Sequence, residues 1–258
     1  MAGRCLLGLI GLLCCGQATP AEPRPEVHKY DVLARMFRPY GALFYSKSPT
    51  KALQAEVILQ EVSGPAGALL HRPLRLSLQV PDRLRVETIG AGERRIFCRQ
   101  GQRVWVYPST LADRIIAAAG PPGPAMAIPD FHLPIPDNQI VLLPAFFQIT
   151  SFQAVRDDEN QAAWSLDFHP ATELLQEAES PPWTVNAVVR QKDYQLRQLT
   201  VRSPEWSARL QILSTHFVNA LPTELWNPSP AEAAGARDIP PALYSAALAK
   251  LPTINFEP

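Results

Sequence analysis

Leu74-Arg75-Leu76-Ser77-Leu78-Gln79-Val80-Pro81-Asp82-Arg83-Leu84-Arg85-Val86-Glu87 is the stretch on which the fold class turns. Leu74, Leu76, Leu78 and Val80 alternate with polar residues, Pro81-Asp82 breaks the run, and Leu84 and Val86 resume it. A period of two with a turn between is the mark of two antiparallel strands, each with one dry and one wet face. The same period extends outward on both sides. Upstream, Leu53, Ala55, Val57 and Leu59 alternate with Gln54, Glu56, Ile58 and Gln60, and Gly64-Pro65-Ala66-Gly67 supplies the turn. Downstream, Arg94–Cys98, a Gly101-Gln102 turn and Arg103–Tyr107 complete a meander. In its last strand Val104 and Val106 point one way and Trp105 and Tyr107 the other, so both of its faces need a cover.

Further along, Leu111–Ala119 has the length and composition of a short helix. Gly120–Asp137 carries six prolines among Met126, Ile128, Phe131, Leu133 and Ile135. It is too broken for regular structure and too apolar to be a solvated linker, so it is expected to lie against the sheet. Asn138–Phe147 reads as a second short helix or a buried strand, interrupted by Pro144. Alternation returns at Ile149–Arg156, Ala163–His169, Thr184–Arg190, Gln195–Arg202 and Ala208–Phe217, with turns at Asp157-Asp158-Glu159-Asn160 and Lys192-Asp193. Ahead of the first strand, Tyr30, Leu33, Ala34, Phe37, Tyr40 and Phe44 have helical spacing, with Pro39 expected to kink or divide the helix near Arg38. After Pro228 the chain is rich in Pro and Ala, with one short helix expected at Ala242–Leu251. The class is mainly β (α+β): a long antiparallel sheet that curls to protect its faces and edges, with an N-terminal helix and short covering helices. The 27 prolines among 258 residues, about twice the usual ~5%, agree with short strands and punctuated loops.

The first residues read differently. Arg4, the apolar run Cys5–Cys15 and the small, polar Gly16-Gln17-Ala18-Thr19-Pro20-Ala21 follow the order of a secretory signal, cut after Ala18 or Ala21. The expected organisation is a signal peptide over 1–21, one domain over 22–230 and a tail over 231–258. A lipid anchor at Cys14 or Cys15 is disfavoured, because Leu13 precedes the first and a cysteine the second. Three of the four cysteines lie in that signal, and Cys98 alone remains in the domain. No internal disulfide is therefore available, and the domain relies on its core. Charge is balanced, with 24 basic and 24 acidic residues and no basic stripe, which points away from nucleic acid.

Chemistry-bearing patterns are sparse. His28, His71, His132, His169 and His216 are scattered, without the spacing of metal ligands. No nucleophile elbow or phosphate-cradling loop is present. Gly90-Ala91-Gly92 reads as a hairpin turn, Asp157-Asp158-Glu159 as a solvated turn rather than a calcium cage, and Cys98 as a buried inert thiol. Neither a cofactor nor a metal is expected. The positive signal is the surplus of apolar residues on a curling sheet and its covers. Two readings follow: a dry core packed throughout, or an imperfect cover that leaves room for an acyl chain or lipid.

Three stretches now combine: Val57-Ile58-Leu59-Gln60, then Pro81-Asp82-Arg83-Leu84-Arg85-Val86-Glu87, then Gly101-Gln102-Arg103-Val104-Trp105-Val106-Tyr107-Pro108. Preceded by a helix and set at these distances, they resemble the periplasmic lipoprotein-carrier family, LolA. The hairpin around Thr184–Val201, with Ala208–Phe217 and Leu221–Pro228, is similar to the family's closing strands. The resemblance implies an incomplete antiparallel β-barrel closed by a helical lid, with lipoprotein acyl chains held inside and no catalysis. It also implies a periplasmic location and allows a membrane-associated partner. Two positions depart from the family pattern. Val80 stands where the carriers place an Arg before Pro81, and Arg99-Gln100 stands for Ser-Asp. Gly120–Asp137 and the tail look like additions, so a divergent member is implied. Leu76, Leu78, Val86, Val104 and Val106 are the expected lining of one face, Trp105 and Tyr107 of the other, with Phe146 and Phe147 on the lid. The competing function is a protein-interaction or sensor module whose barrel is filled by its own side chains. An enzyme with a constellation invisible in sequence is the third.

Overall fold

The structure, a computed structural model, describes residues 27–63, 70–121, 127–132, 146–171, 183–204 and 206–244. The signal-like leader, most of the Pro-rich segment and the end of the tail lie outside these residues. Among these residues eleven strands form one antiparallel sheet, and its two edge strands do not pair with each other. The architecture is an open, incomplete barrel with few helices.

Helix α1 spans Lys29–Ala42. The first five strands follow as a meander: β1 Ala52–Ser63, β2 Pro73–Gln79, β3 Arg83–Thr88, β4 Ile96–Gln100 and β5 Arg103–Tyr107. Helix α2 is Ser109–Ala119. The second meander is β6 Phe147–Arg156, β7 Ala162–Pro170, β8 Thr184–Arg190, β9 Leu196–Arg202 and β10 Ser207–Val218. β10 pairs with β1 and so joins the two meanders. A 3-10 turn, Thr223–Trp226, a single helical turn, Pro230–Ala233, and β11, Arg237–Ile239, follow, and residues 241–244 at the end of the described chain are helical, where the sequence expected a short helix. β11 pairs with β5, so the segment beyond residue 230 supplies the sheet's eleventh strand.

Register assigns the faces. Phe217, Leu53, Leu78, Leu84, Arg99, Val104 and Ile239 are opposed in succession across β10, β1, β2, β3, β4, β5 and β11. Beside them run Thr215, Ala55, Leu76, Val86, Phe97 and Val106. Opposed residues share a face, and both helices lie on this one, which is the inner face. α1 buries Val32, Leu33 and Met36 against Ile149, Leu166, Phe168, Val185, Ala187 and Val189 of β6–β8. The turn after it places Leu43 on Leu53 and Ala55. At about 1.5–3 kcal/mol for each large apolar side chain removed from water, this packing anchors one flank. α2 lays Ala112 and Ile115 over Val104 and Val106 on the other.

The expected division of α1 at Pro39 does not occur, and the helix continues to Ala42. Proline removes one helical hydrogen bond. Phe37 stacks on Phe147 before it, and Tyr40 meets Phe217 edge-on after it. Sheet packing on both sides of Pro39 holds the helix together.

Candidate functional site

The two faces of β5 are covered by different parts of the chain. On the outer face Trp105 and Cys98 lie fully buried beneath Trp226. The Trp105 indole N–H donates to the Trp226 carbonyl at 3.0 Å, and the Cys98 thiol reaches the same oxygen at 3.5 Å. Burial pushes the Cys98 thiol up to about 12, so it stays protonated and unreactive. Trp105 and Tyr107 therefore lie on the face opposite Val104 and Val106, as expected, and form part of an outer seal. The alternation of Arg103–Tyr107 shows that both faces are covered, and the cover of this one lies about 120 residues further on.

Below the seal a buried charge cluster ties the C-terminal segment to the sheet. Arg85 pairs with Glu87 at 3.0 Å and with Glu232 at 3.6 Å, and donates to the Leu225 carbonyl at 2.8 Å. Arg94 bridges the same carboxylates at 2.9 and 2.7 Å. Burial alone would push the Glu87 carboxyl up. Hydrogen bonds from Arg94 and Arg85 outweigh it and hold the group below its ordinary range.

On the inner face the five expected lining residues, Leu76, Leu78, Val86, Val104 and Val106, do share one side of the sheet. They are not equivalent. Val104 and Val106 are sealed under α2, at 1% and 0% exposure, and Leu53 beneath the end of α1 is at 6%. Between these flanks Leu76, Leu78, Val80, Leu84 and Val86 are only half-buried. The result is an apolar strip on β2 and β3, bounded by α1 on one side and α2 on the other.

Part of the Pro-rich segment closes one end of this strip. Gln102 holds Ile128 by both its amide N–H, donated to the Ile128 carbonyl at 2.9 Å, and its side-chain carbonyl, which accepts the Ile128 N–H at 2.7 Å. The Phe131 N–H donates to the Pro81 carbonyl at 2.6 Å. Ile128 is buried beside α2. The cover thus rests on the two hairpin turns after β2 and β4, at the positions where the sequence expected turns.

Phe146 and Phe147, expected on a lid, lie just before and at the start of β6. Phe147 opens β6, packed on Phe37 and Phe168 with ring centroids 5.5 and 5.3 Å away. Phe146 immediately precedes it, with its carbonyl accepting the Ala171 N–H. The rest of Asn138–Phe147 lies outside the described residues. Pairing along β7 and burial under α1 recruit Phe147 into the sheet, a long-range effect that no local pattern carries.

Arg99 is the residue that sequence reasoning missed. It occupies the inner face between Leu84 and Val104, with 1% exposure. Its Nε donates to the Gly101 carbonyl at 3.1 Å and its Nη2 to the Pro129 carbonyl at 2.7 Å. Its guanidinium carbon lies 4.6 Å from the Phe131 ring centre and 5.3 Å from that of Tyr244. The signal was available: alternation across Ile96–Gln100 puts Arg99 beside Phe97, opposite Ile96 and Cys98.

Asp157-Asp158-Glu159 forms a hairpin turn. Asp157 accepts the N–H groups of Glu159 and Gln161, and Glu159 pairs with Arg190 and Arg197. Among the described residues no group of His, Cys, Asp and Glu has the arrangement to hold a metal. Also among these, no helix is long and apolar enough to cross a membrane.

No family model matches this chain, and no curated protein matches it in sequence. Similar solved structures do exist. A chain from the Pseudomonas aeruginosa MucA/MucB complex is 12% identical at a TM-score of 0.42, covering 81% of this chain and 62% of its own. This chain therefore spans about three fifths of that one. The Mycobacterium tuberculosis lipoprotein LppX is 10% identical at 0.38, over 76% of this chain and 99% of its own. A LolA superfamily protein from Nitrosomonas europaea is 9% identical at 0.29, over 74% of this chain and 96% of its own.

Proposed function

We propose that this protein is an exported, periplasmic binding protein for a hydrophobic ligand, an acyl chain or lipid, and catalyses no reaction. A lipoprotein's acyl chains and a membrane-associated partner that delivers them fit the same reading. The carrying observation is the inner-face strip of Leu76, Leu78, Val80, Leu84 and Val86, half-buried between flanks packed to near-complete burial. A sheet whose only role was a dry core would close over its centre first. Here the centre is the part left open, and its lining is wholly apolar, which suits an apolar occupant.

The competing reading, a filled barrel serving protein interaction, draws on the flanks, where α1, α2 and Ile128 do fill the interior. Uptake of a neutral fluorescent fatty-acid methyl ester separates the two. The wild-type protein is expected to take up the ester, and Leu78→Glu to lose at least tenfold in affinity while retaining its far-UV circular dichroism. Native mass spectrometry of the exported protein, with solvent extraction of what it carries, then identifies the class of occupant. A wild-type protein that is empty on export and takes up no ester refutes the binding reading and leaves the filled barrel.

A further inference from the structure

Four arginines of the described chain are at least nine-tenths buried: Arg85, Arg95, Arg99 and Arg197. Three have a carboxylate beside them. Arg85 has Glu87 and Glu232, Arg95 has Glu93, and Arg197 has Glu159 and Asp158. Arg99, the most buried of the four, has none among the described residues. Arginine does not shed its proton, so the positive charge stays. A buried charge without a counter-ion is costly. Two carbonyls and two aromatic faces offset part of that cost, yet among the described residues the local formal charge remains +1.

The neighbourhood is one-sided in a useful way. Across the ladder Arg99 is opposed by Leu84, and Leu84 by Leu78, both half-buried members of the open strip. The side chain beside the strip's covered end is therefore cationic, and everything leading away from it across β3 and β2 is apolar. Each strand crossed adds about 4.8 Å, so a chain starting at Arg99 runs roughly 10 Å over apolar surface before reaching the residues under α1.

Resting on the binding reading above, we propose that Arg99 receives the anionic head group of an amphiphile whose tail lies over Leu84, Leu78 and Leu76. The head is a carboxylate or a phosphate, the planar and tetrahedral anions that a guanidinium fork binds by paired, charge-assisted hydrogen bonds. A neutral lipid places no anion there and leaves the charge uncompensated.

The test compares palmitic acid with its methyl ester, adds lysophosphatidic acid and inorganic phosphate alone, and uses wild-type protein and Arg99→Gln at pH 8. Wild type is expected to bind the acid at least tenfold more tightly than the ester. Arg99→Gln should erase that preference while leaving ester affinity within twofold. Whether the acid or lysophosphatidic acid binds more tightly then assigns the head as carboxylate or phosphate. Equal affinity of wild type for acid and ester overturns the proposal. So does an Arg99→Gln variant that weakens both alike, because Arg99 is then only a pin for the Pro129 segment. Inorganic phosphate binding as tightly as lysophosphatidic acid overturns the amphiphile assignment, since the tail then contributes nothing. A wild-type protein that binds neither acid nor ester refutes the binding reading itself. If Arg99→Gln fails to fold, the wild-type ratio of acid to ester decides alone.

Discussion

Replacing Trp226 with Ala removes the side chain that seals the outer face. Trp226 is fully buried on Ile96, Cys98 and Trp105, and its ring lies 5.8 Å from the Arg83 guanidinium. Truncating a buried Trp costs about 3–5 kcal/mol. One feature reduces that figure: the buried Trp226 indole N–H has no partner among the described residues. Deleting an orphaned donor returns about 1 kcal/mol, so the net loss is about 3 kcal/mol. For a domain of this size that lowers Tm by roughly 6–12 °C. Trp226→Phe keeps most of the apolar contact and drops the orphan, so it is expected to cost about 1 kcal/mol or less. Cys98 reports the same event locally. With Cys5→Ser, Cys14→Ser and Cys15→Ser in place, it is the only thiol, and maleimide labelling measures opening of the seal. A loss of about 3 kcal/mol corresponds to roughly a hundredfold faster labelling where opening and closing are rapid. If Trp226→Ala melts within 2 °C of wild type and Cys98 labels no faster, the C-terminal segment does not hold this face, and the assignment of the outer seal fails.

Acid should weaken the same attachment through Glu87. Its carboxyl is held below the ordinary value of 4.5 in the folded protein, so its stabilisation is present above that value and is lost as pH falls through the lower, folded one. Thermal melts from pH 7 to pH 3 are expected to show a smaller acid loss for Glu87→Gln than for wild type; parallel pH profiles would exclude this carboxylate as a source of acid sensitivity. Phe147→Ala is expected to lose about 2–3 kcal/mol, below the range for a fully buried Phe because the ring is half-buried, since the side chain joins α1 to β7 through Phe37 and Phe168. A denaturant midpoint close to that of wild type would show instead that Phe147 bears no load in the interior.

Ten of the eleven strands follow patterns that local alternation makes visible, because most have one face against a core and one nearer water, while β4 and β5 are covered on both faces. β11 has three residues, Arg237-Asp238-Ile239, and pairs with the exposed edge of β5. Three residues cannot display a period, so its pairing is set by the neighbour and not by the segment. β4 shows the same limit at finer scale. Its expected span, Arg94–Cys98, gives way to Ile96–Gln100 because pairing with Arg103–Tyr107 continues to the Gly101 turn. Which residues share the inner face was legible wherever the strands were, since a shared period and a known turn fix which residues face the same side. How deeply each lining residue is covered was not legible. Leu78 and Val104 are equally apolar and equally inward, and the positions of α2, Ile128, Leu243 and Tyr244 close over Val104 and leave Leu78 half-open.

The C-terminal segment connects the two faces through one continuous piece of chain. From β10 it crosses the outer face, seats Trp226 on Trp105, places Glu232 between Arg85 and Arg94, and extends the sheet edge as β11. It then returns to the inner face, where Leu243 and Tyr244 pack beside Val104 and Val106 and Tyr244 stacks on Phe97 at 6.2 Å. Tyr244 is also one of the two rings on Arg99. The outer seal and the inner strip thus share a single strap, anchored on one side by burial and a charge cluster and on the other by the Arg99 guanidinium. Contacts joined in this way are not independent. Loosening the strap at Trp226 or Glu232 changes the surroundings of Arg99 without touching it. The segment after β10 is therefore better understood as part of the sheet's packing on both faces than as a tail.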